Sequence, residues 1–131
     1  MSKPHIRVVA AEIERDGRFL ITQRSERATM PLLWEFPGGR VEEGESDEAA
    51  LARELQEEMA LEVLVHEQIL HVRHDYPRYT VDFVVYRVET DGEPETIRVR
   101  DARWVSPDEF DQYEFPGADQ ASVARLLGLN P

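Results

Sequence analysis

Short apolar runs in the first part of the chain predict an antiparallel pair of strands. Residues 6–13 (IRVVAAEI) are strand-like, and residues 19–23 (FLITQ) form a second run. Asp16-Gly17 lies between them and is typical of a tight hairpin turn. The longest β-run comes later, at residues 79–90 (YTVDFVVYRVET), and both of its alternating faces are apolar. We therefore expect this run to be a central strand that is covered on both sides.

A helical period replaces this alternation between residues 47 and 59. Leu51, Leu55 and Met59 recur every four residues, which predicts a buried stripe along one helix face. Ser46 precedes the pattern as the expected N-cap, and Asp47 opens the first turn, where the helix dipole favours negative charge.

The same stretch carries a high density of acid. Seven glutamates lie between residues 42 and 58. Glu54, Glu57 and Glu58 fall within roughly 100° of arc beside the apolar stripe. Like charges placed in this way repel each other by roughly a few tenths of a kcal/mol per pair. Because Mg²⁺ takes oxygen ligands and leaves room for substrate phosphates, the pattern favours a metal site over a merely solvated acidic helix.

The remaining pattern predicts further strands and a second helix. Residues 61–72 indicate one strand or a bent pair, and residues 103–105 a short strand. Ser106-Pro107 predicts a capped helical turn. A last helix is expected to open at Ala118 or Asp119, with three apolar side chains turned inward: Val123, Leu126 and Leu127. Strands that alternate with two helices predict an α/β fold, a mixed sheet sandwiched between helices.

Composition narrows the classes of partner. The chain has 131 residues and a net charge of −12, so we expect one domain over residues 1–131 and no nucleic acid partner. It contains no cysteine and no apolar run approaching ~18 residues, and its first residues do not resemble a signal peptide. We therefore expect no membrane association, a cytoplasmic location and a monomer, with a dimer as the alternative.

The acidic helix resembles a known family signature. Gly39, then Glu45, then residues 53–61 (RELQEEMAL) are similar to the Nudix signature G-x5-E-x7-R-E-U-x-E-E-x-G-U, where U is bulky and aliphatic. The chain departs from it at Ala60, where the family has glycine. A glycine there would close the helix in a left-handed conformation, in which alanine costs roughly 1 kcal/mol. This departure affects the end of the helix and no catalytic group.

The resemblance implies the α/β/α Nudix fold and a chemistry. Residues 115–119 (FPGAD) look like the base-binding loop of MutT-type enzymes, which cleave nucleoside triphosphates to a monophosphate and pyrophosphate with Mg²⁺, or Mn²⁺ in its place. It implies metal ligands at the Gly38 carbonyl, Glu54, Glu57 and Glu58. It implies catalytic roles for Glu54, Glu57, Arg53 and Glu45, with Arg53 orienting the carboxylates.

Substrate contacts are expected at five positions: Arg24, Arg40, Phe36, Arg78 and Asp119. Arg24 and Arg40 would bind phosphate, since a guanidinium matches phosphate oxygens; a solvated cation is the alternative for each. A further carboxylate often helps in this family, six residues before the tryptophan of the late strand. Arg98 occupies that position here, so Glu95 and Asp101 are the alternatives.

Asp119 is the expected base-reading residue, with a plain helix N-cap as the alternative. An asparagine is typical in enzymes that remove 8-oxo-dGTP, whereas a CTP-preferring subgroup carries Ala-Asp, as Ala118-Asp119 does. The resemblance therefore implies 8-oxo-dGTP, with CTP or 5-methyl-dCTP as the alternative. Another nucleoside diphosphate derivative and a catalytically silent binding module are more distant possibilities.

Overall fold

The computed structural model describes residues 3–28 and 30–128, so Met1, Ser2, Thr29 and residues 129–131 lie outside the description. Within the described residues, seven strands and two helices follow one another, with two short 3-10 turns near the end. Their bounds are β1 His5–Arg15, β2 Arg18–Gln23, β3 Trp34–Glu35, β4 Gly38–Arg40, α1 Asp47–Met59, β5 Leu64–Asp75, β6 Thr80–Glu89, β7 Asp101–Val105, the turns Pro107–Gln112 and Gly117–Asp119, and α2 Gln120–Leu126. None of the helices in these ranges is long and apolar enough to cross a membrane.

The strands form a mixed sheet in the order β3-β2-β1-β6-β5. β1 and β6 run parallel, with Val9 opposite Val84, while β5 pairs antiparallel with β6. β4 pairs with β1, which places Gly39 opposite Val9, and β7 pairs with β2. The mixed sheet with helices confirms the predicted fold class.

The two faces of the sheet carry separate apolar clusters. α1 covers one face with Leu51, Leu55 and Met59, as its period predicted. β6 contributes Val84, Tyr86 and Val88 to that face and Val81, Phe83 and Val85 to the opposite one. The prediction of a central strand buried on both sides is thereby confirmed.

Both ends of α1 show the expected local chemistry. The Ser46 hydroxyl accepts a hydrogen bond from the Ala49 N–H at 3.1 Å, which confirms the N-cap. Ala60 closes the helix with φ 55° and ψ 35°, and its N–H donates to the Gln56 carbonyl at 2.9 Å. The alanine therefore adopts the left-handed conformation in which the family signature has glycine.

Several local predictions were wrong. Leu127 lies beyond the end of α2 and is 40% exposed, whereas Val123 and Leu126 do pack inward. The helical turn after Ser106 is confirmed, with Ser106 at its N-cap position, but the serine hydroxyl donates to Glu109 and makes no capping bond. Asp119 does not cap α2 either, since its carboxylate accepts from the Phe36 N–H. For residues 61–72, the alternative of one strand is confirmed, since Leu64–Asp75 form a single strand with an interrupted register, and the alternative of a bent pair is wrong.

Candidate active site

A cavity of about 360 Å³ is lined mainly by side chains of the sheet face opposite α1, and Glu58 of α1 also reaches it. Ile6, Val8 and Ala10 of β1 form part of its apolar lining. Gly38 and Gly39 of β4 also line it, as do Ala118 and Asp119 of the last 3-10 turn. Its volume and mostly apolar lining suit a small organic ligand that a few polar groups orient.

Two glycines let this part of the chain pack closely. A Cβ on Gly38 would collide with the Val9 carbonyl oxygen of the neighbouring strand. A Cβ on Gly39 would collide with the carboxylate of Glu54. The Gly39 backbone therefore lies directly against a helix carboxylate, which a side chain at that position would displace, whereas a side chain at Gly38 would disturb the packing of β4 on β1.

Arg53 binds the carboxylates of the acidic helix together. Its Nε and Nη2 donate to the two oxygens of Glu45 at 2.7 and 2.9 Å. Its Nη1 donates to Glu54 at 2.9 Å and to Glu57 at 3.2 Å, and Nη2 also donates to the Arg40 carbonyl at 3.1 Å. Hydrogen bonds from Arg53, aided by the Glu42 N–H, lower the pKa of Glu45 to about 2.

A second group of carboxyls lines the cavity. Desolvation, with repulsion from Glu35 and Glu54, raises the pKa of Glu58 to about 9. Desolvation also raises the pKa of Glu35, although Arg24 donates to its two oxygens at 2.9 and 3.1 Å. Burial raises the pKa of Asp119 well above its ordinary value, while one of its oxygens accepts from the Phe36 N–H at 3.0 Å.

The sequence profile of the NUDIX domain matches residues 8–125 of this chain. The chain belongs to the Nudix family. It is 37% identical over 125 residues to a CTP pyrophosphohydrolase of Escherichia coli K12, covering 95% of this chain and 93% of that protein. It is 36% identical over 129 residues to an 8-oxo-dGTP diphosphatase of Haemophilus influenzae, covering 97% and 95% respectively.

Solved structures agree with this membership. The structure of the MutT protein from Methanosarcina mazei Go1 superposes with a TM-score of 0.86 at 25% identity, covering 98% of this chain and 96% of that one. The protein is thus a MutT-type Nudix hydrolase, an enzyme that acts on acid anhydrides.

Nudix hydrolases use divalent metal, and the donors present here fit such an ion. Within residues 3–28 and 30–128, no three acidic or histidine side chains are already grouped as metal ligands, because Glu54 and Glu57 turn towards Arg53. The pKa of Glu58 is raised first by desolvation and then by repulsion from Glu35 and Glu54, and a bound cation would offset both effects. Hard oxygen donors of this kind are those that Mg²⁺ prefers.

The structure brings most of the predicted substrate residues to the cavity. Arg24, Arg40, Phe36 and Asp119 all line it, and Phe36 stacks on Phe115 with ring centroids 5.6 Å apart. Arg78 is different, because it is exposed on the β5–β6 turn and is not among the lining residues of the described chain.

The position six residues before Trp104, where the family often has a carboxylate, is occupied by an arginine. Arg98 places its Nη1 3.8 Å from a Glu57 oxygen, and its N–H donates to the Glu58 carbonyl. Glu95 is exposed, while Asp101 accepts from Ala102 and Arg103. The Arg98 side chain and backbone thus contact α1 at this point, a contact that the sequence did not predict.

Sequence reasoning missed other lining residues, among them Glu35, Tyr76 and Tyr79. The two tyrosines flank the Pro77-Arg78 turn and lie 5.0 Å apart between ring centroids. Aromatic residues on both sides of a Pro-Arg pair, between two strand-like runs, were a usable signal. Glu35 offered none, because a glutamate in a short strand is usually solvated, and only the fold turns it into the cavity.

Proposed function

We propose that this protein hydrolyses a nucleoside triphosphate to the monophosphate and pyrophosphate in the presence of Mg²⁺, and that 8-oxo-dGTP is its substrate. One observation carries the proposal: Glu58 of the signature helix and Asp119 of the last 3-10 turn line the same cavity. A nucleotide lying along it would place its phosphates beside the acidic helix and its base beside Asp119.

The phosphate end of the site divides its roles among a few residues. Glu54, Glu57, Glu58 and the Gly38 carbonyl would hold Mg²⁺, which activates water and neutralises charge on the phosphates when bound. Arg24 and Arg40 line the cavity and would contact phosphate oxygens. Arg53 acts as a positioning residue, because it holds Glu45 and Glu54 in place through hydrogen bonds.

The chemistry of Asp119 favours an oxidised purine as the base of the substrate. The raised pKa of Asp119 favours a protonated carboxyl, whose O–H can donate to the O6 acceptor of 8-oxoguanine. An ionised carboxylate would set a negative oxygen against O6, and such a mismatch costs roughly 1–3 kcal/mol. Similarity to the Haemophilus influenzae 8-oxo-dGTP diphosphatase supports the same substrate.

Cytidine triphosphate is the second candidate. Asp119 in its ionised form would accept from the N4 amino group of cytosine. The Ala118-Asp119 pair and the 37% identity to the Escherichia coli CTP pyrophosphohydrolase support this alternative.

A nucleotide panel tests the proposal. Turnover of 8-oxo-dGTP, dGTP, CTP and 5-methyl-dCTP is compared at saturating Mg²⁺ and with excess chelator. Phosphorus NMR in ¹⁸O-labelled water then identifies the phosphorus that is attacked. We expect pyrophosphate release, the highest kcat/KM for 8-oxo-dGTP and no turnover with chelator. Release of inorganic phosphate with label at the γ-phosphorus would contradict the reaction, and turnover in chelator would contradict the metal dependence.

A further inference from the structure

An ion pair between a buried glutamate and a half-buried arginine lies on the cavity face of the sheet, beyond the lining of the cavity itself. Glu12 of β1 is 2% exposed, and one of its oxygens accepts from the Arg125 guanidinium of α2. The pair joins residues that are 113 positions apart in sequence. It connects the first strand to the last helix, and the proposed chemistry uses neither residue.

The ion-pair partner of Glu12 comes from α2, although an arginine of the neighbouring strand lies directly opposite Glu12. Arg87 of β6 lies opposite Glu12 in the parallel register. Its guanidinium instead donates to Glu67 at 3.0 Å, in a pair whose side chains are 50% and 59% exposed. The partner of Glu12 thus comes from α2 while the neighbouring charges pair at the surface.

The pair is poorly explained as a source of stability. Glu12 Oε2 and Arg125 Nε are buried and have no hydrogen-bond partner among the described residues. Incompletely matched buried ions give up hydration without full compensation, so apolar side chains of similar size often stabilise a protein as well or better. The geometry therefore points to a role in placing α2.

The placement of α2 matters because Asp119 directly precedes it. Arg125 follows Asp119 by six residues, about 9 Å at helical rise. Val123 and Leu126 provide the apolar contacts of α2, and such contacts are non-directional, so they tolerate small slides and rotations. A charged hydrogen bond has a defined direction, so it fixes both the position of α2 along its axis and its rotation about that axis.

Glu12 lies on the strand that also lines the cavity. Ile6, Val8 and Ala10 of β1 contact the cavity, and Glu12 continues the same face two residues further on. A bond from Arg125 to Glu12 thus fixes the position of α2 relative to the strand surface on which the base would lie. We propose that the Glu12–Arg125 pair is a positioning element that holds Asp119 in register with the base and thereby sets base preference.

This inference rests on the proposed function for its kinetic consequence, but its structural part can be tested without substrate. The test variant is Glu12→Leu with Arg125→Met, which removes both charges and leaves no buried ion unpaired. The matched control is Glu67→Leu with Arg87→Met, which makes the same chemical changes in the exposed neighbouring pair.

Three measurements follow on both variants: the melting temperature, hydrogen exchange of the Phe36 amide that Asp119 accepts from, and kcat/KM for 8-oxo-dGTP and CTP. In the test variant we expect an unchanged or higher melting temperature, faster exchange at Phe36 and a change of about three- to tenfold in the 8-oxo-dGTP/CTP ratio, through KM. The control should match the unaltered protein in the exchange and the ratio. The single variant Arg125→Lys keeps a positive charge opposite Glu12, so its 8-oxo-dGTP/CTP ratio should stay close to that of the unaltered protein.

A test variant that remains folded with unaltered Phe36 exchange and an unaltered ratio would overturn the inference, because the pair would then have no effect on Asp119. An unstable variant whose ratio is unaltered would also overturn it, since the pair would be purely structural. If the unaltered protein hydrolyses no member of the panel, the proposed function fails, and the Phe36 exchange alone decides this inference.

Discussion

Glu45 and Glu35 are a pair of glutamates in neighbouring parts of the site with opposite behaviour. Their side chains are similarly accessible, at 19% and 25%. Arg53 lowers the pKa of Glu45 to about 2, whereas desolvation raises the pKa of Glu35 despite its bonds to Arg24. The accessible surface of these two carboxyls therefore does not decide the direction in which their pKa values shift. Their hydrogen-bond donors and their desolvation do.

The same contrast separates two regions of the molecule. Around Arg53 the carboxylates of Glu45, Glu54 and Glu57 accept hydrogen bonds from one guanidinium, and the pKa of Glu45 is lowered. Along the cavity, Glu58, Glu35 and Asp119 all have raised pKa values, because they lose hydration and face one another. The first region is matched by cations of the protein itself, while we expect the second to be completed by a ligand that brings positive charge or hydrogen-bond donors.

Replacing Glu57 with glutamine gives the largest expected effect, because it removes one charge from the expected metal ligands. We expect turnover at saturating Mg²⁺ to fall on the order of 10²–10³-fold. The fold should be retained, since Glu57 is 40% exposed. The control is Glu48→Gln, in the first turn of the same helix. Turnover of Glu57→Gln within about threefold of the unaltered protein would rule out Glu57 as a ligand.

Asp119→Asn tests the base end of the cavity. The amide keeps an oxygen for the Phe36 N–H and presents a permanent donor to O6, but it offers no second acceptor to the cytosine amine. We expect the ratio of kcat/KM for 8-oxo-dGTP to that for CTP to rise by about tenfold. Identical ratios across the panel in both proteins would show that Asp119 does not read the base.

The stability of the metal-free protein should depend on pH in opposite ways at Asp47 and Asp119. Arg7 lowers the pKa of Asp47, so its contribution is present above the unfolded value of about 3.9 and is lost as pH falls towards the folded one. Burial raises the pKa of Asp119, so its contribution is present below about 3.9 and is lost as pH rises towards the folded value.

Urea unfolding between about pH 3 and 7 measures both effects. Relative to the unaltered protein, Asp119→Asn should gain stability as pH rises and Asp47→Asn should lose it. Each difference should change by at most about 1.4 kcal/mol per pH unit. Parallel curves for the two variants would remove the distinction between the matched and cavity carboxyls.

Ala60→Gly has the smallest expected effect and separates the stability of α1 from its chemistry. Ala60 has φ 55°, a conformation in which glycine is preferred. We expect the free energy of unfolding to rise by up to about 1 kcal/mol, with turnover unchanged. A loss of turnover in this variant would mean that the strained helix end contributes to the site.

The sequence by itself determined the elements with a strong period or a specific motif. The stripe of α1, the Ser46 cap, the two-faced β6 and the family signature are all local patterns, because each depends on spacing along one segment. The predicted α/β class and Nudix membership followed from them and were confirmed.

Only the tertiary structure decided which polar groups lose water and which partners they gain. It turned Asp119 from an N-cap candidate into a buried acceptor for Phe36, placed Glu35 in the cavity and paired Glu12 with Arg125. The physical reason is that hydration and ion pairing depend on groups distant in sequence, such as 83 residues apart for Asp119 and Phe36. A linear pattern records neither of these.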